Sequence, residues 1–181
     1  MKETIRMNRN KLRRFINEIL GMIILVLIDQ FTKYAAVVNL KGRQSIVLVK
    51  GVLELSYLEN RGAAFGMLQN QKIFFVFIAV LIIAVIGYVL SRVPENRKYF
   101  MLHLTLVFIA SGAVGNLVDR LRLDYVVDFI SFVLINFPIF NVADIYVTVA
   151  TAILIIMLLF VYDEHDLNFL SLKTKRFRNV K

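Results

Sequence analysis

The feature that most constrains this chain is a series of long stretches that carry no charge. Nineteen uncharged residues separate Lys72 from Arg92, twenty separate Lys98 from Asp119, and residues 145–162 contain no charged side chain. A helix needs about 20 apolar residues to cross a hydrocarbon core about 30 Å thick. With 59% hydrophobic and only 19% charged residues, the chain is too apolar for an ordinary soluble domain.

We therefore predict an α-helical membrane protein with four transmembrane helices in one integral membrane domain, residues 1–181. The first span is less uniform than the others, because it contains Asp29 and Lys33. No convincing small-residue cleavage site follows its apolar core, so we interpret it as an uncleaved anchor helix and not as a signal peptide. The predicted spans cover about residues 15–38, 73–91, 99–118 and 145–162.

Basic residues predict the orientation of these spans. An even number of spans places both termini on one side, and cytoplasmic segments carry an excess of Lys and Arg. The termini and the loop between the second and third spans hold 14 basic residues in 44, whereas the other two loops hold 7 in 58. We expect both termini in the cytoplasm. The net charge of +9 is then a topology signal beside membrane lipid, and no nucleic-acid partner is expected.

Two segments outside the spans have their own predicted structure. Residues 45–58 are rich in Val, Ile and Leu and contain Tyr57, and the Lys50-Gly51 pair in their middle suits a hairpin turn. They predict a small extracytoplasmic β-sheet. Residues 121–140 are too interrupted to span the membrane and too apolar for a solvated loop, so we predict an interfacial helix or lid.

Four carboxylates fall near one face of the membrane: Asp29, Asp119, Asp128 and Asp144. A charge at the centre of a membrane helix costs at least about 2.5–3.5 kcal/mol, so carboxylates near that depth usually line a functional or watered cavity. Asp128 and Asp144 are single acids among apolar residues, with no basic neighbour in sequence. They are the sharper candidates for chemistry.

The other two acids have simpler explanations. Asp29 and Lys33 are four residues apart and share a helix face, so they can neutralise each other in a structural role. Asp119 precedes Arg120, and such a pair is common where a helix reaches the interface. From the residues alone, Asp128 cannot be chosen over Asp119 as the catalytic partner of Asp144.

Two carboxylates that share a cavity support one definite reaction. Repulsion and desolvation keep one protonated while the other acts as a base toward water, which is aspartic-type peptide hydrolysis without cofactor or metal. The chain has no cysteine and no GxSxG or HExxH motif. The alternatives are a small proton- or ion-coupled transporter, in which these acids would relay protons, and a metal-dependent lipid transferase.

Five short segments occur in order along these helices and resemble one known family. They are DQFTK (29–33), ENRGAAFG (59–66), SGAVGNLVDR (111–120), VVDF (126–129) and FNVAD (140–144). In this order and topology they are similar to the lipoprotein signal peptidases, the type II signal peptidases of bacteria.

This resemblance implies an aspartic endopeptidase of the bacterial inner membrane. The enzyme would remove the signal peptide from prolipoproteins, on the amino side of a cysteine carrying a diacylglyceryl group. The resemblance also implies an active site at the outer face, and we expect a monomer. It selects Asp128 and Asp144 as the catalytic pair and implies that further residues bind substrate or support the pair, whereas Asp29 and Lys33 keep their structural role. The supporting residues are Asn60, Asn116, Asp119, Arg120 and Asn141.

Overall fold

The computed structural model describes residues 2–62 and 67–171, with side chains from residue 11 onward. Four helices in it are long and apolar enough to cross a membrane, which confirms the predicted α-helical membrane fold. The basic tail, residues 173–181, and residues 63–66 of the ENRGAAFG segment lie outside the described residues. The long helices are α1 (Lys2–Leu40), α2 (Lys72–Arg92), α3 (Phe100–Leu123) and α4 (Val142–Phe160).

Helix α3 is the centre of the bundle. It packs against α1, α2 and α4. Half of the residues in its most apolar stretch are buried inside the protein, compared with 17% or less in the other three helices. The outer helices direct their apolar side chains outward, as expected for helices that face lipid. The residues of α3 that bear functional groups are therefore surrounded by protein.

Two glycines let the helices approach α3 closely near the carboxylates. A side chain at Gly112 would overlap the carbonyl oxygen of Ala143 at the start of α4. A side chain at Gly115 would overlap the carboxylate of Asp29 on α1. Small residues at helix crossings bring the backbones together in membrane proteins, and here they bring α1 and α4 within contact of one turn of α3.

A small antiparallel sheet covers one end of the bundle. Its strands are β1 (Ile46–Val49), β2 (Leu53–Asn60) and β3 (Val126–Phe132), in the order β1-β2-β3. The predicted hairpin between the first two strands is present, with Gly51 in a left-handed conformation (φ 72°) that favours glycine. Val127 and Phe129 of β3 pack on Ala36 and Leu40 at the end of α1. The sheet is thereby fixed to the bundle.

The prediction of an interfacial helix within residues 121–140 is wrong in its secondary structure. Residues 121–123 are the last turn of α3, residues 126–132 form β3, and only a short 3-10 turn follows (Val133–Ile135). β3 is buried on both faces, so its residues other than Asp128 and Ser131 are apolar and lack the alternation of a half-exposed strand. The missing alternation concealed the strand. A lid remains a prediction only for the loop after β3.

Candidate active site

Asp128 lies on β3 with its side chain buried beneath the sheet. Its residue is 1% exposed, and both carboxylate oxygens accept a hydrogen bond from an amide side chain. Asn60 at the end of β2 donates to Oδ2 at 2.8 Å, and Asn141 donates to Oδ1 at 2.6 Å. Because β2 and β3 are paired up to Asn60 and Val126, the sheet register holds Asn60 beside the carboxylate.

Asp144 lies in the first turn of α4, where Asn141 caps the helix. The Asn141 side-chain oxygen accepts a hydrogen bond from the Asp144 backbone NH at 3.0 Å. The Asn141 backbone NH donates to Asp144 Oδ2 at 3.1 Å. This reciprocal arrangement is a capping box. The capping box fixes the Asp144 carboxylate at the start of α4.

Asn141 joins the two carboxylates. It is fully buried, its side-chain NH2 donates to Asp128, and its backbone NH donates to Asp144. Asn116 of α3 completes the connection, since it donates to Asp144 Oδ1 at 2.8 Å and accepts from Asn141 Nδ2 at 3.2 Å. A strand and two helices therefore contribute to one hydrogen-bonded unit.

Both carboxylates line one cavity with a volume of about 420 Å³. Asn60, Asn116 and Arg120 form the rest of its polar wall. The remaining wall is largely apolar and comes from the loop after β3 and from one face of α4. These residues are Phe137, Pro138, Ile139, Phe140, Ile145, Thr148 and Val149.

The surroundings of Asp128 favour its protonated form. Burial, reinforced by the negative charge of Asp144, raises the pKa of Asp128 to about 7, although hydrogen bonds from Asn60 and Asn141 act in the opposite direction. A carboxyl group with this pKa is mostly protonated in mildly acidic conditions and about half protonated at pH 7. Asp128 and Asp144 therefore sense each other's charge across the same cavity.

A second buried network lies behind the pair and is centred on Lys33. Its ammonium contacts Asp29 Oδ2 at 3.0 Å and Asp119 Oδ2 at 2.9 Å, and it donates to Asn116 Oδ1 at 2.8 Å. The predicted contact between Asp29 and Lys33 is thus present. The structure adds two partners that sequence spacing does not reveal, because both lie on α3, more than eighty residues away.

Asp29 on α1 and Asp119 on α3 each accept a further hydrogen bond from the backbone of an element beside the cavity. Asp29 accepts from the backbone NH of Ala143 at 2.9 Å, and Asp119 accepts from the backbone NH of Val127 at 3.2 Å. Gln30, which the sequence analysis did not select, donates to Asp119 at 2.8 Å. Its position next to Asp29 in the DQFTK segment was the available signal.

Sequence-predicted residues thus separate into two groups in the structure. Four of them line the cavity or bridge the carboxylates with their amides or guanidinium: Asn60, Asn116, Arg120 and Asn141. Asp119 instead lies 3% exposed in the Lys33 network and is absent from the cavity wall. Arg120 stacks on the Phe75 ring, 4.7 Å from its centroid, which directs its guanidinium along the cavity rim.

Two acids bridged by amides in a largely apolar cavity can hydrolyse a peptide bond, and the known proteins similar to this chain are peptidases. A family model described as signal peptidase (SPase) II matches residues 21–160. A lipoprotein signal peptidase of Caldanaerobacter subterraneus subsp. tengcongensis is 48% identical over 136 residues, 75% of this chain and 90% of its own length. One from Streptococcus thermophilus is 46% identical over 139 residues, 76% of this chain and 89% of its own.

Solved structures agree with this assignment. Two chains described as a bacterial membrane enzyme superpose on this protein, each with a TM-score of 0.70. The first structure is 28% identical in sequence, and the match covers 87% of this chain and 93% of the other. The second is 30% identical, and the match covers 81% of this chain and 94% of the other. The transporter alternative has no support in these relatives. From the matched segments, the fold and these similarities together, the chain belongs to the signal peptidase II family.

Proposed function

We propose that this protein cleaves the signal peptide from prolipoproteins by aspartic catalysis, with Asp128 and Asp144 as the catalytic pair. The supporting observation is Asn141, which donates from its side chain to one carboxylate and from its backbone to the other at the wall of one cavity. Two acids held in this way can divide the roles of proton donor and proton acceptor.

Asp128 is the proton donor in this proposal, and Asp144 is the base. The raised pKa of Asp128 keeps a proton on its carboxyl group near neutral pH. Asp144, which the capping box with Asn141 holds at the wall of the same cavity, is then the group that accepts the proton from water. Because the two acids interact, the proton belongs to the pair as a unit.

The reaction needs only water and these two groups. Asp144 removes a proton from water as the water oxygen attacks the scissile carbonyl carbon, and Asp128 protonates the carbonyl oxygen. In the resulting tetrahedral diol, Asp144 then gives its proton to the leaving nitrogen as the C–N bond breaks. Asp128 recovers a proton from a hydroxyl of the diol, which leaves a carboxylic acid and regenerates both residues.

The substrate in this proposal carries a diacylglyceryl group on cysteine and is cut on the amino side of that cysteine. The apolar wall of the cavity, from Phe137 to Phe140 and along α4, suits lipid and the apolar core of a signal peptide. The substrate peptide must be extended at the cut, so its backbone groups need partners in a dry site. Asn116 and the guanidinium of Arg120 lie at the wall where they can provide them.

The proposal extends to orientation and assembly. The excess of basic residues in the termini and in the loop between α2 and α3 supports termini in the cytoplasm and a carboxylate pair at the outer face. Membrane lipid surrounds the apolar outer surfaces of the helices, and one chain supplies every group that the reaction uses, so we propose a monomer.

The proposed activity can be tested with purified protein in detergent and a diacylglyceryl-modified prolipoprotein, in the presence of a metal chelator. We expect cleavage immediately before the modified cysteine, identified by mass spectrometry of both products. The matched control is the same prolipoprotein without the diacylglyceryl group, which should remain intact. Loss of cleavage on chelation, or equal cleavage of both substrates, would contradict the proposal.

A further inference from the structure

A second cavity lies at the end of the bundle opposite the carboxylate pair. It has a volume of about 810 Å³ and is bounded by the first half of α1, by residues 95–97 and by the first two turns of α3. Glu18 in its wall precedes Lys33 on α1 by fifteen residues, which is roughly 22 Å along a helix. The cavity therefore lies near the other boundary of the membrane.

This cavity is not a continuation of the active-site cavity. Val107 lines the second cavity and Asn116 lines the first, and both belong to α3. They are nine residues apart, which at about 100° per residue places them on opposite sides of the helix. The two cavities therefore lie on different sides of α3.

The lining of the second cavity contains two carboxylates and two guanidinium groups, from Arg14, Glu18, Glu95 and Arg97, together with the imidazole of His103. Glu18 has a side chain that is only 10% exposed, and it lies 3.4 Å from Arg14 Nε and 2.7 Å from His103 Nδ1. These contacts fix the inner wall. Arg14 also reaches Glu95 Oε1 at 3.7 Å, which ties the loop before α3 to α1.

The rim keeps charged groups that a ligand can contact. The Glu95 side chain is 25% exposed. Arg97 is exposed, and its side chain has no ion pair or hydrogen bond with the described part of the chain. Glu95 has only the long contact with Arg14 among those residues. An acid and a base thus stand two residues apart on one edge of the cavity.

Apolar side chains continue from this rim along α3. Phe100, Met101 and Leu104 line the cavity and are 62%, 47% and 40% exposed. They follow one another at helical spacing on the same side of α3. Charged groups of both signs beside an exposed apolar strip, at the depth of a membrane boundary, have the pattern of a phospholipid: a polar head group followed by an acyl chain.

We propose that this cavity binds the head group of an amine-bearing zwitterionic phospholipid of the phosphoethanolamine class. Its ammonium would contact Glu95, its phosphate would contact Arg97, and an acyl chain would lie along Phe100 and Leu104. The balance of two acids and two bases complements a zwitterion better than a purely anionic lipid. A choline head group lacks the N–H donors that a carboxylate accepts, so it should bind less well.

Native mass spectrometry of the full chain released from detergent micelles tests this site. Phosphatidylethanolamine, phosphatidylcholine and phosphatidylglycerol with identical acyl chains are added separately, and soluble phosphoethanolamine is added in a fourth series. We expect phosphatidylethanolamine to be retained about tenfold more tightly than the other two lipids. Retention of soluble phosphoethanolamine at equal concentration would identify the head group alone as the ligand and would contradict a lipid site.

Paired variants locate the site. Glu95→Gln and Arg97→Gln should each reduce phosphatidylethanolamine retention about tenfold. Glu54→Gln and Arg43→Gln are matched controls at the other end of the molecule and should leave retention unchanged. Glu95 and Arg97 contact no part of the proposed catalytic pair, so all four variants should cleave prolipoprotein in detergent at the parent rate. Equal retention of all three lipids, or retention that survives both rim substitutions, would overturn the proposed lipid site and leave the proposed peptidase function unaffected.

Discussion

Replacing either carboxylate of the proposed pair by an amide should abolish cleavage. We expect Asp128→Asn and Asp144→Asn each to lower the cleavage rate by about 1000-fold or more, because an amide can neither take a proton from water nor donate one as an acid. The measurement is release of the signal peptide from diacylglyceryl prolipoprotein, followed over time by electrophoresis. Since the two acids act as one unit, the double variant should be no slower than the slower single variant.

Asp124→Asn is the matched control for these substitutions. Asp124 follows α3 close to the same end of the bundle, but it is exposed and pairs with Lys72. Its backbone is left-handed (φ 69°), a conformation that asparagine tolerates well, so the substitution should leave both fold and rate unchanged. Substantial cleavage by Asp128→Asn or Asp144→Asn would remove that residue from the catalytic pair.

Stability distinguishes loss of chemistry from loss of folding. A carboxyl group whose pKa is raised on folding binds its proton more tightly in the folded state, so it lowers stability as pH rises from its unfolded value toward about 7. Asparagine at position 128 carries no such penalty. The Asp128→Asn variant should therefore remain folded at pH 8, with an unfolding temperature no lower than that of the parent protein.

Replacing Lys33 by methionine should cause the largest loss of stability of any change near the site. Lys33 is 3% exposed and compensates both Asp29 and Asp119, which are equally buried. Removing one member of a buried ion pair costs about 3–5 kcal/mol, because the remaining charges stay buried without a partner. Thermal unfolding in detergent, followed by circular dichroism, should show a clear decrease in the transition temperature.

Two further variants identify the cause of that decrease. Lys41→Met removes an exposed lysine that pairs with Glu59 at 2.9 Å, and it should leave the transition temperature almost unchanged. Combining Lys33→Met with Asp119→Asn removes one uncompensated charge and should recover part of the lost stability. If the combined variant is less stable than Lys33→Met alone, the buried charges are not the reason for the loss.

The four spans could be predicted because hydrocarbon thickness imposes a length that the chain displays directly. The hairpin around Gly51 was also visible, since a left-handed turn favours glycine between two β-rich runs. β3 was not visible. Its pairing partner β2 is some seventy residues away, and burial on both faces removed the alternation that identifies a strand.

The site shows a similar division between local and distant information. Asn141 and Asp144 are three residues apart, and their capping box could in principle be found from sequence alone. The ammonium of Lys33 was assigned only to Asp29, because helical spacing reveals neighbours on the same helix and none on another. Its contacts with Asp119 and Asn116 depend on the approach of α1 to α3, which Gly115 permits.

The proposed mechanism requires Asp128 to hold a proton near neutral pH beside Asp144. Isotope-edited infrared spectroscopy of protein labelled with ¹³C at the aspartate carboxyl groups measures this directly. The difference between the parent and Asp128→Asn should show a protonated carboxyl band at pH 6 that disappears with a midpoint of about 7. A difference spectrum that shows only ionised carboxylate at pH 6 would contradict the claim.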